Sequence, residues 1–359
     1  MLKRFLAFAL CAAFTVSAPL SGHAAGEKKL DIAASAPGGT WYVGLGAYAK
    51  VLSAMYPEFD TTLFPGGGVS NVVRVAQGQS SVGITAVTFM KAAHDGADPF
   101  RSPVNVKALA NLDDDTRIVF AVPAGSSITS VRQIVESDKP LRVFMGSKVG
   151  GNAEVFARWT FQSLGVSKKD LQKRGYTLYG GTPAECGSMM REGQLDVMSC
   201  TNPGEHFMIS ELVKDMDIRF LPFDDKLLEE LQKTYAMTPG TLPATMYKPM
   251  VKQDIPIITA PSGLVINADV PDEDAYKMAR ALVEGRRDIA LALPAWNTIS
   301  PERICPSRFI PARHGTTAKS AASSRAFSNP FQNSTRGAAA HRTPSPRPRS
   351  RNFQQGIFP

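Results

Sequence analysis

Short apolar runs of strand length alternate with helix-patterned stretches from Leu30 to about Trp296. This alternation restricts the chain to α/β architecture, because each sheet face must be covered by the helices that connect its strands. The apolar runs are LDIAAS, TTLFP, VGITA, VKALANL, RIVFAVPA, LRVFMGS, YTLYGG, LDVMSC, IRFLPF and ITAPSGLVIN. Helical spacing of apolar residues marks 42–56, 69–79, 155–164, 182–191, 205–214, 226–235 and 272–293. In the first of these, Leu45, Tyr48, Ala49, Leu52 and Tyr56 share one face. The pattern predicts mostly parallel sheets, and a body of roughly 270 residues suits two domains better than one.

Two segments read as crossings between those domains. RIVFAVPA runs into a polar Gly/Ser stretch, and VKQDIPIITAPSGLVIN reads as the return. The expected division is a discontinuous first lobe of 25–122 with 260–302, a second lobe of 123–259, and a ligand cleft between them.

Lys3 and Arg4, an apolar run over 5–16, and small residues before a cut after Ala24 predict a secretory signal peptide over 1–24. Cys11 lies inside the apolar run, which argues against a lipid anchor. No later stretch is apolar for long enough to cross a bilayer, so the mature chain is expected in the periplasm and not inserted in the membrane. The net charge of +8 misleads as a guide to partners. Ten of the 40 basic residues and none of the 32 acidic ones lie in 303–359, so 1–302 carries 30 against 32. Nucleic-acid binding would rest on that terminal segment alone.

Cys186, Cys200 and Cys305 remain after signal cleavage, and none has metal-ligand spacing. Cys186 and Cys200 pair in an oxidising compartment or stay as two buried thiols, the latter being the preferred reading. His23, His94, His206, His314 and His341 form no ligand cluster, and neither a metal nor a cofactor is expected. Asp113, Asp114 and Asp115 read as a solvated loop rather than a cation site.

In open α/β sheets, ligands sit where strands end and helix N-termini present unbonded N–H groups. Six such loops carry small or hydroxyl residues: 37–42, 65–71, 85–88, 146–154, 180–185 and 200–205. Each alone is explained by tight turns and helix capping; together they suggest a binding cleft. The first loop lacks the lysine of a P-loop, and GLGAYA lacks the third glycine of a dinucleotide fingerprint. A carboxylate fits better, received by backbone N–H and hydroxyl groups near helix dipoles. Neither a G-x-S-x-G elbow nor HExxH is present. An enzyme or sensor on the same fold would need a reactive pair, for which Cys200 and His206 are the candidates.

At these loops the chain resembles the TAXI-type solute-binding proteins of TRAP transporters, over roughly Leu30 to Trp296. PGGTWYVGLGAYAKVLS is similar to the family's opening motif, and GGGVSNVVRVAQGQSSVGIT to its next, with Gly68, Asn71, Gly78, Gly83 and Ile84 in register. GSKVGGNAEVFARWTFQSLGV and EGQLDVMSCTNPG resemble two later segments. Val197 and Ser80-Ser81 depart from the usual residues. The resemblance implies an α/β, two-domain type II periplasmic-binding-protein fold. It also implies capture of a small organic acid or acidic amino acid for a membrane permease, with TRAP membrane subunits as partners and a monomeric receptor. The expected ligand-binding residues are Gly39, Thr40, Tyr42, Gly68, Ser70, Asn71, Thr85, Thr88, Ser147, Gly150, Gly151, Asn152, Thr182, Thr201 and Asn202.

From Arg303 onward the chain is rich in Ser, Pro, Arg and Ala without periodicity, a composition that predicts disorder. The family resembled ends near His-Pro-Gly-Ala-x-Arg-Tyr-Tyr-x-Glu. Synonymous codons for the residues from Phe309 onward, read from the third base, yield His-Pro-Gly-Ala-Ala-Arg-Tyr-Tyr-Arg-Glu. This predicts a frameshift between about Trp296 and Ile304, in the gene or its sequencing, with 303–359 out of frame.

Overall fold

The computed structural model describes residues 28–146 and 151–304. The chain begins with β1 (Lys28–Ala33), α1 (Thr40–Met55), β2 (Phe59–Phe64), α2 (Gly68–Ala76), β3 (Val82–Ala86), α3 (Val87–Asp95) and β4 (Val106–Asn111). There follow β5 (Thr116–Pro123), α4 (Val131–Glu136), β6 (Arg142–Phe144), α5 (Asn152–Ser163), α6 (Lys168–Lys173), β7 (Thr177–Tyr179), α7 (Pro183–Arg191) and β8 (Val197–Pro203). The rest is α8 (Phe207–Asp215), β9 (Ile218–Phe220), α9 (Asp225–Tyr235), β10 (Thr238–Leu242), β11 (Ile255–Thr259), β12 (Ser262–Asn267), α10 (Asp272–Glu284) and α11 (Arg286–Ala292), with two short 3-10 turns.

The strands form two sheets. One has the order β2-β1-β3-β12-β4; the other runs β10-β11-β5-β8-β6-β7, with β9 also on β5. The α/β, two-sheet architecture expected from the alternation is therefore present, but the sheets are not mostly parallel. Four strand pairings are parallel and six antiparallel. The antiparallel pairings all involve β5, β11 or β12, the strands that flank the two crossings between sheets.

The first crossing lies one strand earlier than expected. RIVFAVPA was assigned to the first lobe, up to 122, yet β5 sits inside the second sheet against β8, β9 and β11. Its Ile118, Phe120 and Val122 are fully buried there. The chain thus crosses at 112–115 and returns at Ala260–Pro261. The crossings lie side by side: Leu112 N–H donates to Ser262 O (2.8 Å) and Ala260 N–H to Thr116 O (2.8 Å).

Other departures have local causes. ITAPSGLVIN is two strands in different sheets, not one. The expected long helix over 272–293 breaks at Gly285, which packs so tightly on α1 that a Cβ would lie 2.2 Å from Val51 Cγ1. β10 is not among the expected strands; it carries Pro239 and Gly240, which interrupt a strand pattern but which an edge strand paired only with β11 tolerates. The six-residue helices α4 and α6 are too short for periodicity to show.

Two apolar clusters hold the structure. One packs α1, α10 and α11 on the first sheet through Leu45, Tyr48, Leu52, Met278, Leu282 and Trp296. The other includes the core of the second sheet but also takes in Val69, Val72 and Phe89 from α2 and α3. Phe89 stacks on Phe156 of α5 (centroids 5.0 Å apart), which stands beside Trp159; Trp159 in turn stacks on Tyr235 (4.3 Å). The two sheets thus share one apolar seam beside the crossings.

The chain end contributes to the first cluster. Ile304 is buried and bridges Ala110, and Arg303 pairs with Asp114, so the tail expected from 303 begins no earlier than residue 305. The rest of that tail, its proposed frame change, the signal segment and Cys305 lie outside the described residues. Trp296 is fully buried against Gly44, where a Cβ would come within 2.6 Å of the indole. Trp296→Ala should therefore cost about 3–5 kcal/mol of stability, read as a lowered urea midpoint; a shift of under about 1 kcal/mol would show that the docked end contributes little.

Candidate functional site

The strand-to-helix loops of both sheets converge on a cavity of about 280 Å³. From the first sheet, the chain leaves β1, turns through Gly38 at φ +79°, and enters α1 at Gly39. Only glycine adopts that φ freely. Gly39 has no side chain to cap the helix; Ser35 Oγ accepts the Tyr42 N–H instead (3.0 Å). The Thr40 and Trp41 N–H groups at the helix start have no protein partner among the described residues, and both residues line the cavity. Gly66 and Gly67, before α2, also line it.

From the second sheet come Gly151, Asn152 and Ala153 at the start of α5, Gly181 and Pro183 at the start of α7, and His206 to Met208 at the start of α8. Strand β8 supplies the floor through Ser199, Cys200, Thr201 and Asn202. Two hydrogen bonds cross between the sheets at the rim. Thr40 Oγ1 donates to Asn202 Oδ1 (2.7 Å), and Gly68 N–H donates to Asn152 Oδ1 (2.8 Å). A Cβ on Gly68 would lie 2.2 Å from that oxygen, so the second bond requires glycine.

Five helix N-termini therefore meet around one space, each contributing partial positive charge. No Asp, Glu, Lys or Arg lines it among the described residues. Ser199 Oγ and Thr201 Oγ1 are buried and have no hydrogen-bond partner, although Ser199 is only 2% exposed. Buried hydroxyls are ordinarily bonded, because leaving one unpaired costs about 1–3 kcal/mol.

Of the expected binding residues, the structure brings Gly39, Thr40, Gly151, Asn152, Thr201 and Asn202 to the cavity. Seven others are engaged elsewhere, and none of them lines it. Asn71 Nδ2 holds the carbonyls of Ala33, Ala34 and Ile84, fixing the ends of β1 and β3. Thr85 Oγ1 bonds Gly68 O (2.9 Å), Thr88 Oγ1 bonds Tyr235 O, and Ser70 Oγ takes the Gly67 N–H (3.0 Å). Gly68 itself is spent on Asn152. Thr182 caps α7 in a reciprocal box with Glu185, and Tyr42 packs on the first apolar cluster. Ser147 and Gly150 lie outside the described residues.

Sequence reasoning missed Thr116, Phe144, Ser199 and Met208 on the cavity wall. Attention to the loops after strands overlooked hydroxyls within β8. Its polar end was read as loop, but Thr201 and Asn202 pair with Ile118 and Arg117 of β5.

The Asp113–Asp115 loop is solvated only in part: Asp114 is exposed and Asp115 half-buried, but Asp113 is buried. Asp113 is 1% exposed, and its Oδ1 accepts from Asp115 N–H (3.1 Å), Thr116 Oγ1 (3.1 Å) and Ser262 N–H (3.3 Å). Ser262 Oγ in turn accepts from Trp41 Nε1 (3.0 Å) and lies 2.9 Å from Thr116 Oγ1. This network joins the crossings to the cavity wall. Asp114 and Asp115 pair with Arg303 and Arg117.

Cys186 and Cys200 are free thiols, as preferred from the sequence, and both border the cavity. Burial pushes Cys186 up to about 12 and Cys200 upward as well. Burial pushes His206 down to about 4. These directions are opposite to those of a thiolate–imidazolium pair, and no hydrogen bond joins Cys200 to His206. Among the described residues there is no cluster of three His, Cys, Asp or Glu suited to a metal, and no helix is long and apolar enough to cross a membrane.

Residues 32–319 match the model of the NMT1-like family. The chain belongs to the NMT1-like family. None of the curated proteins matches it. Among solved structures, this NMT1-like chain is similar to the periplasmic binding protein BugD at 14% identity and a TM-score of 0.49, covering 77% of this chain and 91% of that one. It is also similar to PhnD1 from Prochlorococcus marinus in complex with methylphosphonate, at 12% identity and 0.47, covering 77% and 95%. A third is the alkanesulfonate-binding protein SsuA from Xanthomonas axonopodis pv. citri bound to MOPS, at 14% and 0.42, covering 77% and 82%.

His206 gives a pH prediction. Its Nδ1 caps α8 by accepting the Met208 N–H (3.2 Å). The unfolded chain takes up this proton near the ordinary value of about 6.5, the folded chain only near about 4. Between these values the unfolded state binds more protons, so stability present above about 6.5 is lost as pH falls toward 4, by up to roughly 3 kcal/mol. His206→Asn keeps a capping oxygen and cannot titrate. Urea midpoints at about pH 7 and about pH 4.5 should converge in that variant relative to the parent; equal acid sensitivity in both would refute the assignment.

Proposed function

We propose that the chain is an extracytoplasmic solute-binding receptor. Its two lobes, 28–115 with 261–304 and 116–260, close on a small organic acid or acidic amino acid and present it to a TRAP-type membrane permease. The observation that carries this reading is the cavity between the sheets, where five helix N-termini converge and which no Asp, Glu, Lys or Arg lines among the described residues. Such a wall suits one negative charge spread over two acceptor oxygens, which dipoles and N–H groups stabilise. Membership of the NMT1-like family is consistent with this role.

Capture needs no bond chemistry. The ligand favours the closed arrangement by its differential affinity for it. The rim bonds Thr40–Asn202 and Gly68–Asn152 join the two lobes, so any opening would break them, and the crossings at 112–115 and 260–261 are the chain segments that would have to bend. The TAXI-type resemblance supplies the permease class, and the leader over 1–24 supplies the export route.

Thermal-shift titration of the purified protein with small organic acids and amino acids tests the reading. A ligand at a hundredfold its Kd should stabilise by about 2.7 kcal/mol. A cooperative melt that no carboxylate shifts would refute it. Ser199→Ala gives a sharper check: removing an unpaired buried hydroxyl should leave the empty protein as stable or more so, yet weaken ligand binding about tenfold. Loss of stability without loss of affinity would mean that Ser199 serves the fold instead.

A further inference from the structure

The loop 243–254 between β10 and β11 gives no residue to the cavity lining, yet one of its side chains is bonded to the cavity wall. The loop is closed on itself. Ala244 N–H donates to Asp254 Oδ1 (2.9 Å), Met246 N–H to Pro243 O (3.0 Å) and Met250 N–H to Tyr247 O (2.8 Å). Met246, Tyr247 and Val251 are buried in the apolar cluster of the second sheet.

Tyr247 stands out among them. Its φ is +51°, a left-handed conformation that glycine or asparagine takes readily and a bulky aromatic residue avoids. Strain of this kind persists only where the surroundings hold it in place. Here the ring stacks on Phe220 of β9, with centroids 5.3 Å apart and 21° between the planes. The phenol oxygen accepts the backbone N–H of His206 (2.5 Å), 41 residues away in sequence. A turn alone would be better served by glycine, so what the aromatic residue adds is the ring and its hydroxyl.

That bond falls where α8 begins. His206 is the N-cap of the helix, and its N–H has no partner within the helix. Its Nδ1 accepts the Met208 N–H (3.2 Å), and its carbonyl accepts the Ser210 N–H (2.9 Å). The phenol thus secures the one backbone group of His206 that the helix leaves open. His206, Phe207 and Met208 all line the cavity.

We infer that Tyr247 is a positioning residue for the cavity: its hydroxyl holds the start of α8, and with it the stretch of wall formed by His206, Phe207 and Met208. The inference rests on the receptor reading only for its consequence, that affinity for a ligand depends on a residue outside the lining.

Tyr247→Phe keeps the ring, its stack and the backbone conformation, and removes the bond alone. Hydrogen exchange in the parent comes first. The His206 amide should exchange about a hundredfold more slowly than that of Phe207, which has no protein partner among the described residues. Equal rates would overturn the inference without any variant.

Titration of the His206 ring by NMR comes second. Burial lowers its value to about 4. Around it, Glu205 is exposed, Arg117 pairs with Asp115, and burial keeps Cys200 and Tyr247 protonated. Movement of the midpoint therefore reports water reaching the start of α8. In folded Tyr247→Phe it should rise by about one unit or more toward the ordinary 6.5. An unchanged midpoint would assign Tyr247 to its loop alone.

Thermal-shift titration with acetate, pyruvate, succinate and glutamate reads the consequence. An acid that shifts the parent should need about tenfold more to shift Tyr247→Phe equally. Equal titrations would overturn the inference and leave the receptor reading standing. Silence from all four in both proteins would count against the carboxylate reading alone, with the two NMR measurements still deciding the role of Tyr247.

Discussion

The buried carboxylate of Asp113 is the interaction on which the arrangement of the two sheets depends. It sits at the first crossing and binds the start of β5 through Thr116 and the start of β12 through the Ser262 N–H. A carboxylate taken out of water is costly unless its oxygens are bonded; here Oδ1 takes three donors, while Oδ2 is buried without a partner among the described residues. The donors that satisfy Oδ1 belong to both crossing segments, so the two are held side by side. Trp41 joins through Ser262 Oγ, and with it the first helix N-terminus of the cavity is placed relative to the pivot. The same few atoms therefore fix where the sheets meet and where the ligand wall begins.

Around that point the structure separates rigidity from recognition. Apolar burial does the former: Phe89, Phe156, Trp159 and Tyr235 form a continuous aromatic seam beside the crossings, and Trp296 anchors the chain end on α1. Among the described residues the cavity wall instead combines helix starts, hydroxyls and His206 with apolar surface from Trp41, Phe144 and Met208.

How much of this was legible in the residues varies with the physical signal. Long amphipathic stretches such as α1 and α9 show their period plainly, and the buried strands β3 and β5 show as unbroken apolar runs. Six expected site residues, Gly39, Thr40, Gly151, Asn152, Thr201 and Asn202, do border the cavity, because helix starts after strands are a local property of the chain. Asn71, Thr85 and Thr88 look the same in sequence but are spent on backbone carbonyls. A hydroxyl or amide that caps a turn and one that faces a ligand have identical local patterns. Only the neighbours brought from elsewhere tell them apart.

The sequence by itself determined the α/β class, the alternation of elements and the positions of most helix starts, since these follow from hydrophobic period, glycine and capping chemistry within a few residues. Tertiary structure alone decided which sheet β5 joins, that Asp113 is buried rather than solvated, and that His206 stands on the cavity wall. Each of these depends on contacts between segments tens to hundreds of residues apart. Burial and partnering of a polar group are properties of such contacts, and no local pattern encodes them.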